Sequence, residues 1–334
     1  MFILGFNDIL SVNIMKIHVP EISNLIYEDD VLKVLKSNYS IMGPLWVIHQ
    51  FEWINSMYQP YKDHDKYLIV IYLIKSTLDF YSRNFTKINY EQFYSQDSVE
   101  IGRINISEIS KALNIPKEST RRKIVELEIT GDIKRFKKKI IIDRTTFKFV
   151  RPEESLKRSS RFLAIFSKIL LEDEIIKKTV SSKELEISIK ENFSYIWKLY
   201  YEMQIPMLLA WKKIFNDLET FNIWSACVVN QYIHASKDQK KMNIKDFLDK
   251  AIFLKKIKNK GINASSISDI TGIPRATVIR KLNNLIKSKN LNIDNKKQYT
   301  LDGIHLKKFL PVQNITMERL SEFSTKIYNS ILVN

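Results

Sequence analysis

INISEISKALNIPKESTRRKIVELEITGDI, residues 104–133, and INASSISDITGIPRATVIRKLNNLIKSKNL, residues 262–291, are two versions of one pattern. Pro274 lies 158 residues after Pro116, and at that offset the two stretches align without a gap. Ile104/Ile262, Asn105/Asn263, Ser107/Ser265, Ile109/Ile267, Ser110/Ser268, Ile115/Ile273, Pro116/Pro274, Arg122/Arg280, Lys123/Lys281 and Leu127/Leu285 are identical pairs. Self-similarity at long period within one chain reads as two copies of one structural unit.

Each copy spells a short helix, a tight turn and a second helix. Ser107 and Ser265 suit the N-cap of the first helix, where a hydroxyl accepts an otherwise unsatisfied backbone N–H. Asn114 and Gly272 follow it, and both tolerate the left-handed backbone of a turn between helices. Ile115 and Ile273 fit the angle between the helices, and Pro116 and Pro274 pre-set entry into the second. In that helix Thr120, Ile124 and Leu127, like Val278, Leu282 and Leu285, recur at i, i+4, i+7 and face a core. The opposite face then carries Lys117, Ser119, Arg121 and Lys123, with Arg122 at its border; in the second copy it carries Arg275, Thr277 and Arg280, with Lys281 nearby. Ile279 is expected to be exposed there.

A pair of β-prone runs follows each second helix: 132–136 and 140–143, then 291–294 and 298–301. Lys134, Arg135, Lys137, Lys138 and Lys139 cluster on the first pair, and Lys296 and Lys297 tip the second. Basic residues on a hairpin suit phosphate contacts or a narrow minor groove.

Both segments resemble the winged helix-turn-helix of MarR-type and related bacterial transcriptional regulators, in which a pattern like IxEIAxxLGIPxSTVxRxLxxLxxxGLI precedes the wing. The likeness covers about 40 residues in each half. Thr120 departs from it, standing where an apolar residue is usual. Lys289 and Asn290 depart too, standing where glycine is favoured, although Gly131 is present in the first copy. The resemblance implies that the second helix of each unit enters the major groove of double-stranded DNA, with arginines reading guanine and Ser or Thr bonding base or phosphate.

The rest of the chain fits a mostly helical protein of two similar halves, 1–150 and 151–334. Each half would be a helical scaffold bearing one motif, at 104–143 and 262–302, and the second half would close with a C-terminal helix. Only 7 glycines and 8 prolines in 334 residues favour long helices over a many-turned β architecture. Helices are expected at 21–37, 41–58, 64–84, 154–178, 183–203, 206–220, 222–236 and 314–331. Sparse matches outside the motifs, Trp53/Trp211 and Arg161/Arg319 among them, extend the 158-residue offset, and Phe309 and Pro311 echo Phe149 and Pro152.

A formal charge of +16 attracts polyanions, although a Lys-, Asn- and Ile-rich composition accounts for part of it. No run is apolar enough to span a bilayer, and the hydrophobic start MFILGFNDIL lacks a basic leading region, so neither a membrane partner nor a signal peptide is expected. Met1 and Met15 both serve as candidate starts. The lone Cys227 fits a reducing, cytoplasmic setting. No cofactor loop, metal-ligand spacing or nucleophile motif stands out, so no catalytic or metal residues and no cofactor are expected. The expected function is sequence-specific DNA binding by a covalent pseudo-dimer acting as a transcriptional regulator. A replication initiator of plasmid or phage type and a winged-helix protein-assembly module are the alternatives. Further homodimerisation and a small-molecule effector lodged among the scaffold aromatics stay open.

Overall fold

A computed structural model describes residues 22–102, 105–136, 139–143, 151–235, 241–250, 261–301 and 308–332. After a 3-10 turn at Ile22–Asn24, α1 (Glu28–Ser37), α2 (Tyr39–Tyr61) and α3 (His64–Arg83) lead to α4 (Tyr90–Tyr94) and β1 (Ser98–Ile101). The first motif follows as α5 (Ile106–Leu113), α6 (Lys117–Ile129), β2 (Ile133–Phe136) and β3 (Lys139–Asp143), and α7 (Glu153–Glu172) closes this run. The order then recurs with α8 (Ser182–Glu191), α9 (Phe193–Phe215), α10 (Leu218–Ala235) and α11 (Ile244–Lys250). The second motif comprises α12 (Ala264–Thr271), α13 (Arg275–Lys287), β4 (Leu291–Ile293) and β5 (Tyr299–Leu301), and α14 (Leu310–Leu332) ends the described chain. The protein is mostly helical with two small antiparallel sheets.

The scaffold helices keep a different offset from the motifs. Residues 28–94 and 182–248 correspond at 154 residues, so α1 and α8, α2 and α9, α3 and α10 begin at equivalent positions. Asn38 and Asn192 precede the two 23-residue helices with nearly the same backbone angles, φ −102° and −104°. Lys62 and Asn216 end them in the left-handed conformation. By helix position Trp53 therefore stands level with Met207, and Trp211 with Met57.

Packing between the two runs is reciprocal. Helix α3 lies on α9 and α10 on α2; α7 lies on α8 and α14 on α1. Ser40 Oγ accepts from Met242 N (2.9 Å) while Ser40 N donates to Met242 O; Ser194 Oγ accepts from Ile88 N (3.1 Å) while Ser194 N donates to Ile88 O. Ser40 and Ser194 are 154 residues apart, as are Ile88 and Met242, so each run holds the other by the same pair of bonds. The core between them is strongly aromatic: Trp53, Trp197, Tyr39 and Tyr200 are all buried.

Several helix boundaries differ from expectation. Helix α9 runs straight through Pro206, and the chain breaks at Asn192 and Asn216 instead. A proline inside a helix removes one helical hydrogen bond, and here the apolar burial of Ile205, Met207 and Leu208 around it outweighs that loss. Helix α7 stops at Glu172, where the chain turns through Glu174 at φ 58°. The first helix begins only at Glu28, and the last already at Leu310. Phe149 lies outside the described residues; Phe309 is buried, and Pro311 sits in the first turn of α14, where its missing N–H costs nothing.

Candidate nucleic-acid interface

The two motif segments build the same local structure. Asn105 and Asn263, rather than Ser107 and Ser265, cap the first helices, each in extended conformation with its side-chain oxygen accepting from the N3 backbone N–H. Glu108 returns the bond to Asn105 and completes a capping box. The serines fall inside the first turn, too late for that geometry. Asn114 and Gly272 take the left-handed turn at φ 48° and 67°. Ile115 and Ile273 are buried under it, and Ser110 Oγ and Ser268 Oγ each donate to the following isoleucine carbonyl at 2.7 Å.

Gly272 is also closed in by the scaffold. A Cβ there would meet Gln59 Nε2 at 2.9 Å, and Gln59 itself donates to Thr271 O. Gly272→Ala is expected to cost about 1–2 kcal/mol, since it adds left-handed strain and displaces that amide. A urea titration checks it; an unchanged midpoint contradicts the turn geometry.

Both second helices bury the expected faces: Thr120, Ile124 and Leu127 in α6, Val278, Leu282 and Leu285 in α13. Thr120 is accommodated at an apolar position because its hydroxyl reaches the carbonyls of Ile115 and Pro116, both at 3.2 Å. Lys289 takes the left-handed position at φ 55° that glycine favours, and Asn290 is buried beside it, its amide donating to Ser288 Oγ at 2.7 Å. Ile279, expected to be exposed, is half-buried against the core.

The strand arrangement is shared too. In the first sheet the order is β1-β3-β2, with Val99 and Ile133 both opposite Ile142. In the second, β4 pairs with β5, and Ile262 bridges to Tyr299 on the other edge of β5. Each sheet is tied to a scaffold helix at equivalent positions: Thr77 Oγ1 donates to Glu100 O (3.0 Å), and Gln231 Oε1 accepts from Leu301 N (2.8 Å).

The sixteen basic and hydroxyl residues singled out from the sequence divide into groups. Lys117, Arg121 and Arg122 are exposed on α6, and Arg275 and Arg280 on α13; Ser119 and Thr277 are half-buried beside them. Arg121 folds back on Glu118 (2.9 Å), and Arg275 donates to Ser265 Oγ (3.0 Å). Arg122 stands 3.8 Å from Glu126, whose carboxylate is already taken by Lys66 at 2.6 Å. Arg280 and Lys117 form no ion pair among the described residues. Lys296 and Lys297 are exposed at the tip of the second hairpin.

Four others are occupied by the protein itself, contrary to expectation. Lys123 pairs with Asp63, and Lys281 is buried and pairs with Asp217 (2.7 Å), Glu219 (3.4 Å) and the Thr220 hydroxyl. Lys134 pairs with Asp143 and Arg135 with Glu128, so the base of the first hairpin is internally neutralised. Lys137, Lys138 and the side chain of Lys139 lie outside the described residues.

Asp63 and Asp217 were missed in the sequence. Each stands one residue ahead of a scaffold helix, α3 or α10, and accepts from backbone N–H groups of its first turn. Lys123 and Lys281, equivalent in the motifs, thus fasten α6 and α13 to equivalent capping aspartates. Burial opposes ionisation of Asp63, but the Lys123 ammonium and the backbone N–H groups of Lys66 and Asp65 outweigh it and hold the carboxyl below the ordinary range. Burial opposes Asp217 likewise, and Lys281 with the Thr220 N–H outweighs it. His64, buried between these pairs, is pushed down to about 4, chiefly by desolvation, and Asp217 and Lys281 both act on it. The two anchors therefore share one neighbourhood, at the adjoining N-termini of α3 and α10. A further cross-link, Lys212 to Asp65 at 2.8 Å, lies there too.

Among the described residues no group of three or more His, Cys, Asp or Glu side chains is placed to hold a metal ion. No helix among them is long and apolar enough to cross a membrane. No family model, curated protein or solved structure matches the chain.

Proposed function

We propose that the chain binds double-stranded DNA sequence-specifically through two winged helix-turn-helix units, 105–143 and 263–301, arising from internal duplication and held as a covalent pseudo-dimer. Transcriptional regulation from the cytoplasm is the favoured role. The observation that carries this reading is the equivalence of the units. Each presents exposed arginines on the second helix, Arg121 and Arg122 on one, Arg275 and Arg280 on the other. Each second helix is anchored by its own lysine to a scaffold helix N-terminus. The reciprocal packing of the scaffold supports an arrangement in which two half-sites are addressed together, about 34–36 Å apart along B-DNA if they lie one helical turn apart. A net charge of +16 supplies the long-range attraction.

Selection of bound fragments from random duplex DNA at physiological salt tests the reading. The expected outcome is a paired motif with fixed spacing. Sites upstream of promoters identify a regulator, and tandem sites at an origin identify a replication initiator. Recovery of no motif, with only weak salt-labile binding, overturns the proposal in favour of protein assembly.

A second result is expected from the hairpin tip. Replacing Lys296 and Lys297 with alanine removes up to two phosphate contacts and lowers the slope of log affinity against log salt by about 0.9 each. Base preference should stay as it was, because phosphate contacts position the protein without reading sequence.

A further inference from the structure

We infer that Lys62 and Lys213, which belong to the scaffold and to neither motif, bind backbone phosphates of the duplex between the two reading helices. These contacts deepen the proposed DNA-binding function and rest on it.

The lysines stand at the two helix junctions, α2 to α3 and α9 to α10, which together bridge the motif units. Lys212 and Asp65 join the junctions at 2.8 Å. Asp63 on the first holds α6 through Lys123, and Asp217 on the second holds α13 through Lys281. The bridge borders the exposed face of α6: Lys66 takes Glu126 at 2.6 Å, and Arg122 stands 3.8 Å from that same carboxylate. It also borders the entry to α13. Lys62 donates to Gln59 Oε1 at 2.8 Å, and Gln59 donates in turn to Thr271 O at 3.3 Å, in the turn that leads to Arg275. The N-terminal end of a reading helix is the part that meets the major groove, so Lys62 is placed beside the strand that such a helix enters. Lys213 holds the matching place in the other run, 154 residues after Gln59.

Charge singles out the same two residues. Asp63, Asp65, Asp217 and Glu219 on the bridge are each paired with a lysine. Lys62 and Lys213 are exposed and form no ion pair among the described residues. Lys62 leans over the Tyr58 ring at 5.6 Å and bonds only the neutral Gln59. The bridge is therefore neutralised except at these two cations. A duplex held by both reading helices crosses it, and carries about one negative charge per 1.7 Å of its axis. Lysine, a point charge on a flexible stem, suits a phosphate, and such contacts position the duplex without reading it.

Titration of the full chain with a mixed-sequence duplex of about 40 base pairs, long enough to span two half-sites one turn apart, tests the contacts at several salt concentrations. Lys62→Gln with Lys213→Gln should lower the slope of log affinity against log salt by about 1.8, and affinity at about 0.1 M salt by at least tenfold. Each single variant should show half that fall in slope, so one that failed to fold leaves the other to decide. Lys62→Arg with Lys213→Arg keeps both charges and should keep the slope. Lys33→Gln with Lys183→Gln, exposed on α1 and α8, removes the same formal charge and should also keep it. An unchanged slope in the glutamine pair, an equal fall in the Lys33 and Lys183 pair, or a fall in the arginine pair overturns the inference, and leaves the DNA reading standing as long as the wild-type chain binds duplex. A wild-type chain that binds no duplex sinks the DNA reading and these contacts with it.

Discussion

Replacing Arg122 and Arg280 together with alanine is expected to weaken binding to the selected duplex by about 2–6 kcal/mol, roughly 30-fold or more, and to relax base preference at both half-sites. The two residues are equivalent in the motifs and exposed on α6 and α13. Each has a lysine as its neighbour, Lys123 or Lys281, and these form the control. Both lysines are committed to scaffold aspartates, so Lys123→Met with Lys281→Met should leave base preference and the salt slope almost unchanged despite removing the same formal charge. If the lysine pair costs as much DNA affinity as the arginine pair, the division between reading and anchoring residues fails. Titration of labelled duplex at several salt concentrations decides it.

The second large effect concerns the anchors. Asp217→Ala leaves Lys281 buried with only the Glu219 carboxylate at 3.4 Å and the Thr220 hydroxyl beside it, and is expected to destabilise the fold by about 2–4 kcal/mol. The cost stays at the lower end of that for a buried pair because the Asp217 side chain is itself 44% exposed. Lys281→Met should cost far less, under about 1 kcal/mol, because it fills the site with an apolar stem and leaves an aspartate able to reach water. Chemical denaturation of the two variants gives the comparison, and equal losses contradict the burial asymmetry.

The same neighbourhood contributes to the acid limit of stability. His64 is buried neutral, with its pKa lowered to about 4, while in the unfolded chain it takes up a proton near 6.5. Its contribution is full above pH 6.5 and declines by about 1.4 kcal/mol per pH unit as pH falls towards 4. Asp63 and Asp217, whose pKa values are also lowered in the fold, contribute above the ordinary carboxylate value and lose that contribution as pH falls further. His64→Gln should lower the slope of the first part of the profile without abolishing it, because His49, also buried, has its pKa lowered to about 3 by desolvation and by Arg158, and it should leave the second part unchanged.

Local features were largely legible from residue order. The left-handed turns at Asn114 and Gly272, the plugs Ile115 and Ile273, and the buried stripes of α6 and α13 follow from spacing and from what each side chain permits its backbone. The caps were readable too: Asn105 with Glu108 three residues on is a capping box, and the serines two residues later were an equally acceptable local choice that only the backbone geometry separates. What residue order hid is long-range. Lys123 meets a partner 60 residues away and Lys281 one 64 residues away, and nothing in the motifs announces that the most recurrent lysine is spoken for. The scaffold correspondence was hidden because it is kept in burial and capping more than in identity. Asn-Tyr-Ser at 38–40 and Asn-Phe-Ser at 192–194 were the available signal, with Asn89 and Phe93 against Asn243 and Phe247. They run at 154, four residues out of step with the motifs at 158.

The exchange of bonds at Ser40 and Ser194, with each run of helices laid on the other, has a consequence for how DNA is measured. On the proposed reading, a flexible tether would let the two units adjust to any spacing of their targets at small entropic cost. Helices packed reciprocally allow no such play, and the molecule behaves as a ruler. Affinity should then be highest at one distance between half-sites: inserting about five base pairs, half a helical turn, turns one target to the far side of the duplex, and inserting a full turn keeps the face but moves it about 34 Å out of reach, so either insertion should reduce binding to that of a single unit.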